Sequence, residues 1–158
     1  MLSGQTEILL KKREFLYVAT CDRELRPNLA PKFLLKIENN VIYLVDHVIG
    51  RTYRNIKENP RICVSFLDFE SLVGYQFNGA VETIESGHEH EKLLKEFEKK
   101  EIDFSVQRII DGIEKGRKHE AFEAGISGKA VIFKAVIDEM VEIGPQGSLK
   151  KQNVRTEK

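Results

Sequence analysis

The segment spanning residues 45–60, VDHVIGRTYRNIKENP, carries the side chains best suited to binding an anion. Gly50 gives the backbone freedom where a loop enters a helix, and Thr52 suits the N-cap or first turn of that helix. A helix start attracts negative charge through its unpaired N–H groups and its dipole, and Arg51 adds a guanidinium fork. These residues predict a phosphate cradle. The alternative is an ordinary capped helix with solvated basic residues, and spacing alone leaves both interpretations open.

A second candidate segment, residues 28–36, precedes it in the chain. Pro31 cannot donate a backbone hydrogen bond to a neighbouring strand, so backbone groups near it are available to the edge of a ligand. Lys32 places a cation in an otherwise apolar run. The same two residue types also protect an edge strand against aggregation, and the residues by themselves favour neither interpretation.

The remaining titratable residues form weaker patterns. His88 and His90 are two residues apart and therefore point to different faces of a helix, which favours a solvated helix start over a metal site. His119 stands alone in a charged run. Cys21 and Cys63 are far apart in strand-like surroundings, which predicts two reduced, buried thiols. We expect no metal, and no side-chain arrangement identifies a catalytic nucleophile.

The elements that must position these residues follow from the hydrophobic pattern. Apolar runs rich in β-branched and aromatic residues, or alternating apolar and polar residues, predict strands over residues 15–21, 28–37, 41–46, 61–68, 75–84 and 126–143. Helices are predicted over residues 6–13 and 51–59, with two more inside residues 85–123 that break near residues 101–103. Gly79, in the middle of a predicted strand, indicates a bulge or a close backbone approach.

This order of elements predicts a mainly β (α+β) fold, a small antiparallel barrel with flanking helices. Strands and helices do not alternate regularly, and no G-x-G-x-x-G motif follows a strand, which argues against a doubly wound sheet. We expect one domain over residues 1–144, with a helical excursion at residues 85–123. Residues 145–158 are predicted to be a flexible tail.

Composition excludes several classes of protein. The 158 residues include 25 basic and 25 acidic side chains, and the resulting net charge of zero argues against a general nucleic-acid binder. We see no apolar stretch near the ~20 residues of a membrane span and no secretion signal in the first residues. The composition therefore predicts a soluble cytoplasmic protein with no membrane or nucleic-acid partner.

Taken together, the motifs between residues 15 and 84 resemble the FMN-binding split-barrel family, which includes pyridoxamine 5'-phosphate oxidase and many smaller flavoproteins. They are L-x-V-A-T, R-P-N-L-A-P, V-I-Y-L-V-D, G-R-T-x-R-N-I-x-x-N-P-R-I and Y-x-F-x-G-A-V, in that order. Residues 130–143 match more loosely.

The resemblance implies a six-stranded antiparallel split β-barrel that forms a homodimer, with two FMN molecules at the interface. By position, Arg51 and Thr52 would hold the FMN phosphate. The other cofactor-binding residues that it implies are Ala30, Pro31, Lys32 and Phe33 along the flavin, Asp46, His47 and Val48 after the third strand, and Asn55 in the same groove.

The implied activity is an oxidoreductase that transfers electrons between a reduced nicotinamide or another donor and a small acceptor. A true pyridoxamine phosphate oxidase is not expected, because the chain ends in VEIGPQGSLKKQNVRTEK without the arginine- and histidine-bearing motif of those enzymes and has no Trp. Three alternatives stay open. The fold could bind haem, with His119 as a late ligand, or a deazaflavin; it could bind flavin without turnover; or it could be an OB-like nucleic-acid module.

Overall fold

The computed structural model describes residues 4–47, 49–114 and 130–154. Within these residues the chain forms seven strands and three α-helices. The strands are β1 (Phe15–Cys21), β2 (Pro27–Glu38), β3 (Val41–Asp46), β4 (Arg61–Asp68), β5 (Val73–Ile84), β6 (Val131–Ile143) and β7 (Leu149–Asn153). The helices are α1 (Gly4–Lys11), α2 (Arg51–Glu58) and α3 (His88–Glu114).

The first six strands close into an antiparallel barrel. The sheet order is β3-β2-β1-β4-β5-β6-β7, and the additional pairing of β3 with β6 joins the two ends of the six-stranded part. Every strand pair is antiparallel. Closure removes the exposed edges that an open sheet of these strands would present. The predicted mainly β, six-stranded antiparallel barrel with flanking helices is confirmed.

Two apolar clusters stabilise the barrel. Alternation along β4 sends Ile62, Val64 and Phe66 into the barrel interior, where they join the main cluster. The second cluster lies outside the barrel wall, where Leu93 and Phe97 of α3 cover the outer side of β2, β3 and the start of β6. The helix therefore buries one part of the outer surface of the barrel.

Gly79 marks a close backbone approach between β5 and β6, one of the two features that its place in the strand predicts. Asn78 pairs with Glu139 and Gly79 with Ile137, so the bulge here lies in β6, with Asp138 as the extra residue. A Cβ atom at Gly79 would lie 2.1 Å from the carbonyl oxygen of Val136, so only glycine allows the two backbones to approach this closely.

Two regions differ from the sequence-based expectation. The prediction of two helices breaking near residues 101–103 was wrong, because α3 continues to Glu114 and its first glycine is Gly112; the rest of the predicted excursion lies outside the described residues. The segment after residue 144, predicted as a frayed tail, contains a 3₁₀ turn and β7. Backbone pairing with β6 and burial of Val154 hold this polar strand, and local hydropathy reveals neither.

Candidate functional site

The start of α2 presents backbone donors that no side chain caps. The helix follows Gly50, whose backbone is extended and which has no side chain to accept a hydrogen bond from the first turn. Arg54 donates the first intrahelical hydrogen bond, to the carbonyl of Gly50 at 3.2 Å. The amides of Arg51, Thr52 and Tyr53 come before that bond. Such a helix start is suited to binding an anion.

Arg51 and Thr52 occupy different environments at this helix start. Arg51 is exposed and forms no hydrogen bond or ion pair with any of the described residues. Thr52 is only 2% exposed, and its Oγ1 accepts a hydrogen bond from Nδ2 of Asn28 at 3.0 Å. Thr52 is therefore a first-turn residue rather than the N-cap, and its hydroxyl still has a proton to donate.

One face of α2 is attached to β1 and β2 by side-chain amides. Asn55, 3% exposed, donates from Nδ2 to Oγ1 of Thr20 at 3.1 Å, and Asn59 donates to Sγ of Cys21 at 3.1 Å. With the Asn28–Thr52 bond, these contacts fix both ends of the helix relative to the strands. The structure thus places Asn55 in the joint between α2 and β1.

Lys32 and Asp46 form an ion pair. The Lys32 Nζ lies 2.8 Å from Oδ2 of Asp46, and the two side chains are 10% and 5% exposed. Phe33 pairs with Val45, so Lys32 and Asp46 stand one residue beyond the last pair between β2 and β3. Because the two charges compensate each other, the pair offers a lysine ammonium and a carboxylate without adding net charge to the site.

Strand alternation divides the predicted flavin-contact residues between two faces of β2. Asn28, Ala30 and Lys32 share one face, and the side chains of Pro31 and Phe33 point to the other. Pro31 is exposed, but Phe33 is only 4% exposed, with its ring 4.9 Å from that of Phe97 in α3. The side chain of Phe33 therefore does not share a face with Lys32, contrary to the expectation that it lies along the same ligand, and its backbone alone can contribute there.

The residues after β3 are also supported by α3. The His47 ring is half-buried, and its centroid lies 4.9 Å from that of Phe97, which is fully buried. Val48 lies outside the described residues. Phe97 therefore contacts both Phe33 and His47, and links the helix to two segments that carry candidate site residues.

The inner face of β2 joins the two halves of the site. Asn28 contacts Thr52 at one end of this face, and Lys32 contacts Asp46 at the other, with Ala30 between them. At about 3.3 Å per residue, the row is about 13 Å long. Sequence reasoning missed Asn28, Thr20 and Asn59 as site residues. Asn28 could have been found from the sequence, because it is four residues before Lys32 in the same predicted strand and alternation places both on one face.

The other titratable candidates have structural roles or lie elsewhere. His90 is buried and donates from Nε2 to the carbonyl of Ala130 at 2.8 Å, so it is neither solvated nor arranged as a ligand. No group of three or more potential metal ligands occurs among the described residues, and His119 lies outside them. Cys21 and Cys63 are free and half-buried, and burial raises the pKa of the Cys63 thiol.

The outer face of β1 and β2 is apolar and uncovered by the described part of the chain. Phe15, Tyr17 and Leu29 are 52%, 56% and 64% exposed. Tyr17 is directly opposite Pro31 in the neighbouring strand, which makes these side chains one continuous patch. An exposed apolar patch of this kind is typical of an interaction surface.

Comparison with known proteins places the chain in a family. Residues 2–119 match the family model described as pyridoxamine 5'-phosphate oxidase, a match that includes β1 to β5, α2 and α3. The chain belongs to the pyridoxamine 5'-phosphate oxidase family. The resemblance seen in the sequence motifs is thereby confirmed, and the candidate site lies within the matched residues.

A curated relative is less informative about this family member. The chain is 27% identical over 99 residues to the uncharacterized protein MJ0282 of Methanocaldococcus jannaschii. The match covers 60% of this chain and 65% of the relative, so it spans slightly less than two thirds of the relative's length.

Solved structures share the fold of this family member. A Clostridium acetobutylicum protein related to general stress protein 26, of the pyridoxinephosphate oxidase family, matches with a TM-score of 0.63 and 15% identity over 94% of this chain and 92% of its own. HupZ of Group A Streptococcus matches with a TM-score of 0.64 and 21% identity, over 94% of this chain and 98% of HupZ. A pyridoxamine 5'-phosphate oxidase-related, FMN-binding protein of Nostoc punctiforme matches with a TM-score of 0.60 and 12% identity, over 99% of this chain and 98% of its own.

No helix among the described residues is both long and apolar enough to span a membrane.

Proposed function

We propose that this chain binds FMN, with the phosphate at the start of α2 and the flavin along the inner face of β2. The observation that carries the proposal is the uncapped first turn of α2, flanked by the exposed guanidinium of Arg51 and by the Thr52 hydroxyl that Asn28 holds. Membership of a family with FMN-binding members supports the same ligand, as does the FMN-binding protein of Nostoc punctiforme with the same fold.

The charges of the site suit one phosphate group. A phosphate monoester is a dianion near neutral pH, and it needs charge-assisted hydrogen bonds when it is bound. Lys32 is already compensated by Asp46, so Arg51 supplies the cation, together with the first-turn amides. The Thr52 hydroxyl adds a donor that the Asn28 amide keeps in place.

The residues beyond the phosphate suit a flat ring system. Ala30 has a small side chain between Asn28 and Lys32, so the middle of the row leaves space for a planar group. Lys32 and Asp46 would then offer a donor and an acceptor to its polar edge, with His47 and the backbone of Pro31 and Phe33 nearby. FMN itself supplies the capacity for one- and two-electron transfer, and the chain would bind it, orient it and exclude water.

The proposal includes a homodimer with a cofactor site completed by the second chain. The exposed Phe15, Tyr17 and Leu29 form an apolar face that a second copy would cover. This face is the outer side of the strands whose inner side carries Asn28 and Lys32. Association of two copies would therefore stabilise the strands that form the cofactor site.

The proposed activity is an oxidoreductase that passes electrons between a reduced nicotinamide or another donor and a small acceptor. Asn28, Ala30 and Lys32 of the row on β2 are each partly exposed, so a small substrate could reach a ring bound along it. The cytoplasmic location and the absence of nucleic-acid and membrane partners stay predictions from composition.

The absorption spectrum of the freshly purified protein tests the proposal. We expect a flavin spectrum, or, for protein purified without cofactor, a saturable change in FMN fluorescence on titration, and bleaching of the bound flavin by NADH or NADPH without oxygen. A Soret band would favour haem, and a blue-shifted band would favour a deazaflavin. FMN binding without bleaching by any donor would favour a non-catalytic flavin-binding protein. A colourless protein that ignores FMN but retards single-stranded oligonucleotides would overturn the proposal.

A further inference from the structure

We infer that Lys100 of α3 is a positioning residue for the candidate site, because it holds the bulge in β2 that sets Lys32 opposite Asp46. The inference rests on the proposed function, since it assigns a role in binding the cofactor. Lys100 is far along the chain from the motifs at residues 28–62, and it belongs neither to the row on β2 nor to the start of α2.

Lys100 reaches from α3 to two successive backbone carbonyls of β2. Its Nζ donates to the carbonyl oxygen of Leu34 at 2.7 Å and to that of Leu35 at 2.9 Å. The ammonium also lies over the rings of Phe33 and Phe104, 5.7 and 5.6 Å from their centroids. Burial lowers the pKa of Lys100, which accords with an ammonium whose contacts are carbonyls and aromatic rings.

These two carbonyls lie at an irregularity in the strand. Leu34 pairs with Leu44 and Lys36 with Tyr43, so β2 carries one extra residue, Leu35, at this point. Successive carbonyls point in opposite directions in a regular strand. Here both accept from the same nitrogen atom, so the Lys100 ammonium binds a backbone shape that exists only in the bulge.

The bulge decides which side of β2 faces the barrel interior. Leu34 and Ile37 both lie in the interior cluster, although they are three residues apart and a regular strand would place them on opposite faces. In a regular strand with Ile37 in the interior, every second residue before it, including Phe33, would also point inside. Lys32 would then point outside. Asp46 follows the interior residues Ile42 and Leu44 at even spacing, so Lys32 would lose its partner.

The experiment compares Lys100→Met with two controls by FMN titration. Met keeps the length of the stem but has no N–H donor. Lys99→Met changes an exposed neighbour, and Phe104→Leu disturbs the packing around Lys100 while leaving its donors. We expect Lys100→Met to weaken FMN binding at least tenfold and to change the visible circular dichroism of bound flavin. Lys99→Met should bind like the parent, and Phe104→Leu should lower the melting temperature more than the affinity.

A conservative variant and a cofactor-free measurement complete the test. Lys100→Arg keeps donors at the bulge and should retain most of the affinity; if Lys100→Met does not fold, Lys100→Gln takes its place. Hydrogen exchange of the chain without cofactor should accelerate in β2 and β3 in Lys100→Met and not in Lys99→Met. The inference would be overturned if Lys100→Met changed neither the affinity for FMN nor the hydrogen exchange of β2 and β3. It would also be overturned if Lys100→Met and Phe104→Leu had the same melting temperature and Lys100→Met lost no more affinity than Phe104→Leu. If the parent chain does not bind FMN, the proposed function fails, and the exchange measurement alone decides the role of Lys100.

Discussion

Lys32 on β2 and Asp46 at the end of β3 form an ion pair of 2.8 Å, with both side chains almost completely removed from solvent. The sequence shows the two residues as separate members of a cofactor site. The structure shows that each is the partner of the other. The pair holds the end of β3 against the inner face of β2. In the proposed function, the phosphate is therefore assigned to Arg51 and the start of α2.

Removing one partner of this pair should destabilise the fold. Lys32→Met leaves the Asp46 carboxylate buried without its cation, and such a loss typically costs about 3–5 kcal/mol of unfolding free energy. Replacing both residues, as Lys32→Met with Asp46→Leu, should recover much of that stability. Urea unfolding of the three proteins measures the difference. A single variant as stable as the parent would show that the pair is hydrated in solution.

Arg51→Ala should loosen FMN with little effect on the fold. The Arg51 side chain is exposed and forms no hydrogen bond or ion pair with the described residues, so its loss should remove only a charged hydrogen bond to the ligand, about 1.5–3 kcal/mol or roughly 10- to 150-fold in Kd. Arg54→Ala is the matched control, because Arg54 is exposed on the same helix. Equal affinities of the two variants in a fluorescence titration would remove Arg51 from the phosphate site.

Gly79→Ala should destabilise the barrel strongly. The new Cβ would meet the Val136 carbonyl oxygen at 2.1 Å, and backbone cannot rotate away as a flexible side chain can. We expect a loss of about 1–3 kcal/mol or more, as for other overpacked sites. Gly74→Ala in the same strand is the control, because its Cβ would make an ordinary contact of 3.6 Å with Ile143. Similar melting temperatures of the two variants would contradict the close approach at Gly79.

Asp68 should contribute to a loss of stability in acid. Hydrogen bonds from the Ser71 side chain and backbone, together with the charge of Arg13, hold the pKa of Asp68 below its ordinary value. A carboxyl whose pKa is lower in the folded state stabilises the protein above its unfolded pKa of about 4, and this contribution disappears as the pH falls through the folded value. Asp68→Asn should therefore be less stable than the parent at pH 7, and the difference should shrink by pH 3. Thermal melts of both proteins at the two pH values measure this difference. A difference in melting temperature between the parent and Asp68→Asn that is the same at pH 7 and pH 3 would argue against this role of Asp68.

The sequence was most informative where local chemistry decides the structure. The bounds of β1, β3 and β4 agree with the prediction, because β-branched and aromatic runs between polar turns leave little choice of register or length. The start of α2 was predictable for the same reason, since Gly50 and the polar residues after it signal a loop that enters a helix. The continuity of α3 through residues 101–103 was not predictable, because the charged residues there are compatible with either a loop or an exposed helical face.

The sequence by itself determined the class of the fold and the family, since these depend on hydrophobic period, turn chemistry and short motifs. It also proposed Arg51 and Thr52 as phosphate-binding residues, which stays a prediction. Only the tertiary structure decided that Lys32 is compensated by Asp46, that the Phe33 side chain lies under α3, and that Asn28 holds Thr52. Each of these contacts joins residues distant in sequence through the register of the barrel. The extra residue in β2 changes which face of the sheet the side chains before it occupy relative to those after it, and the local sequence pattern does not reveal this bulge.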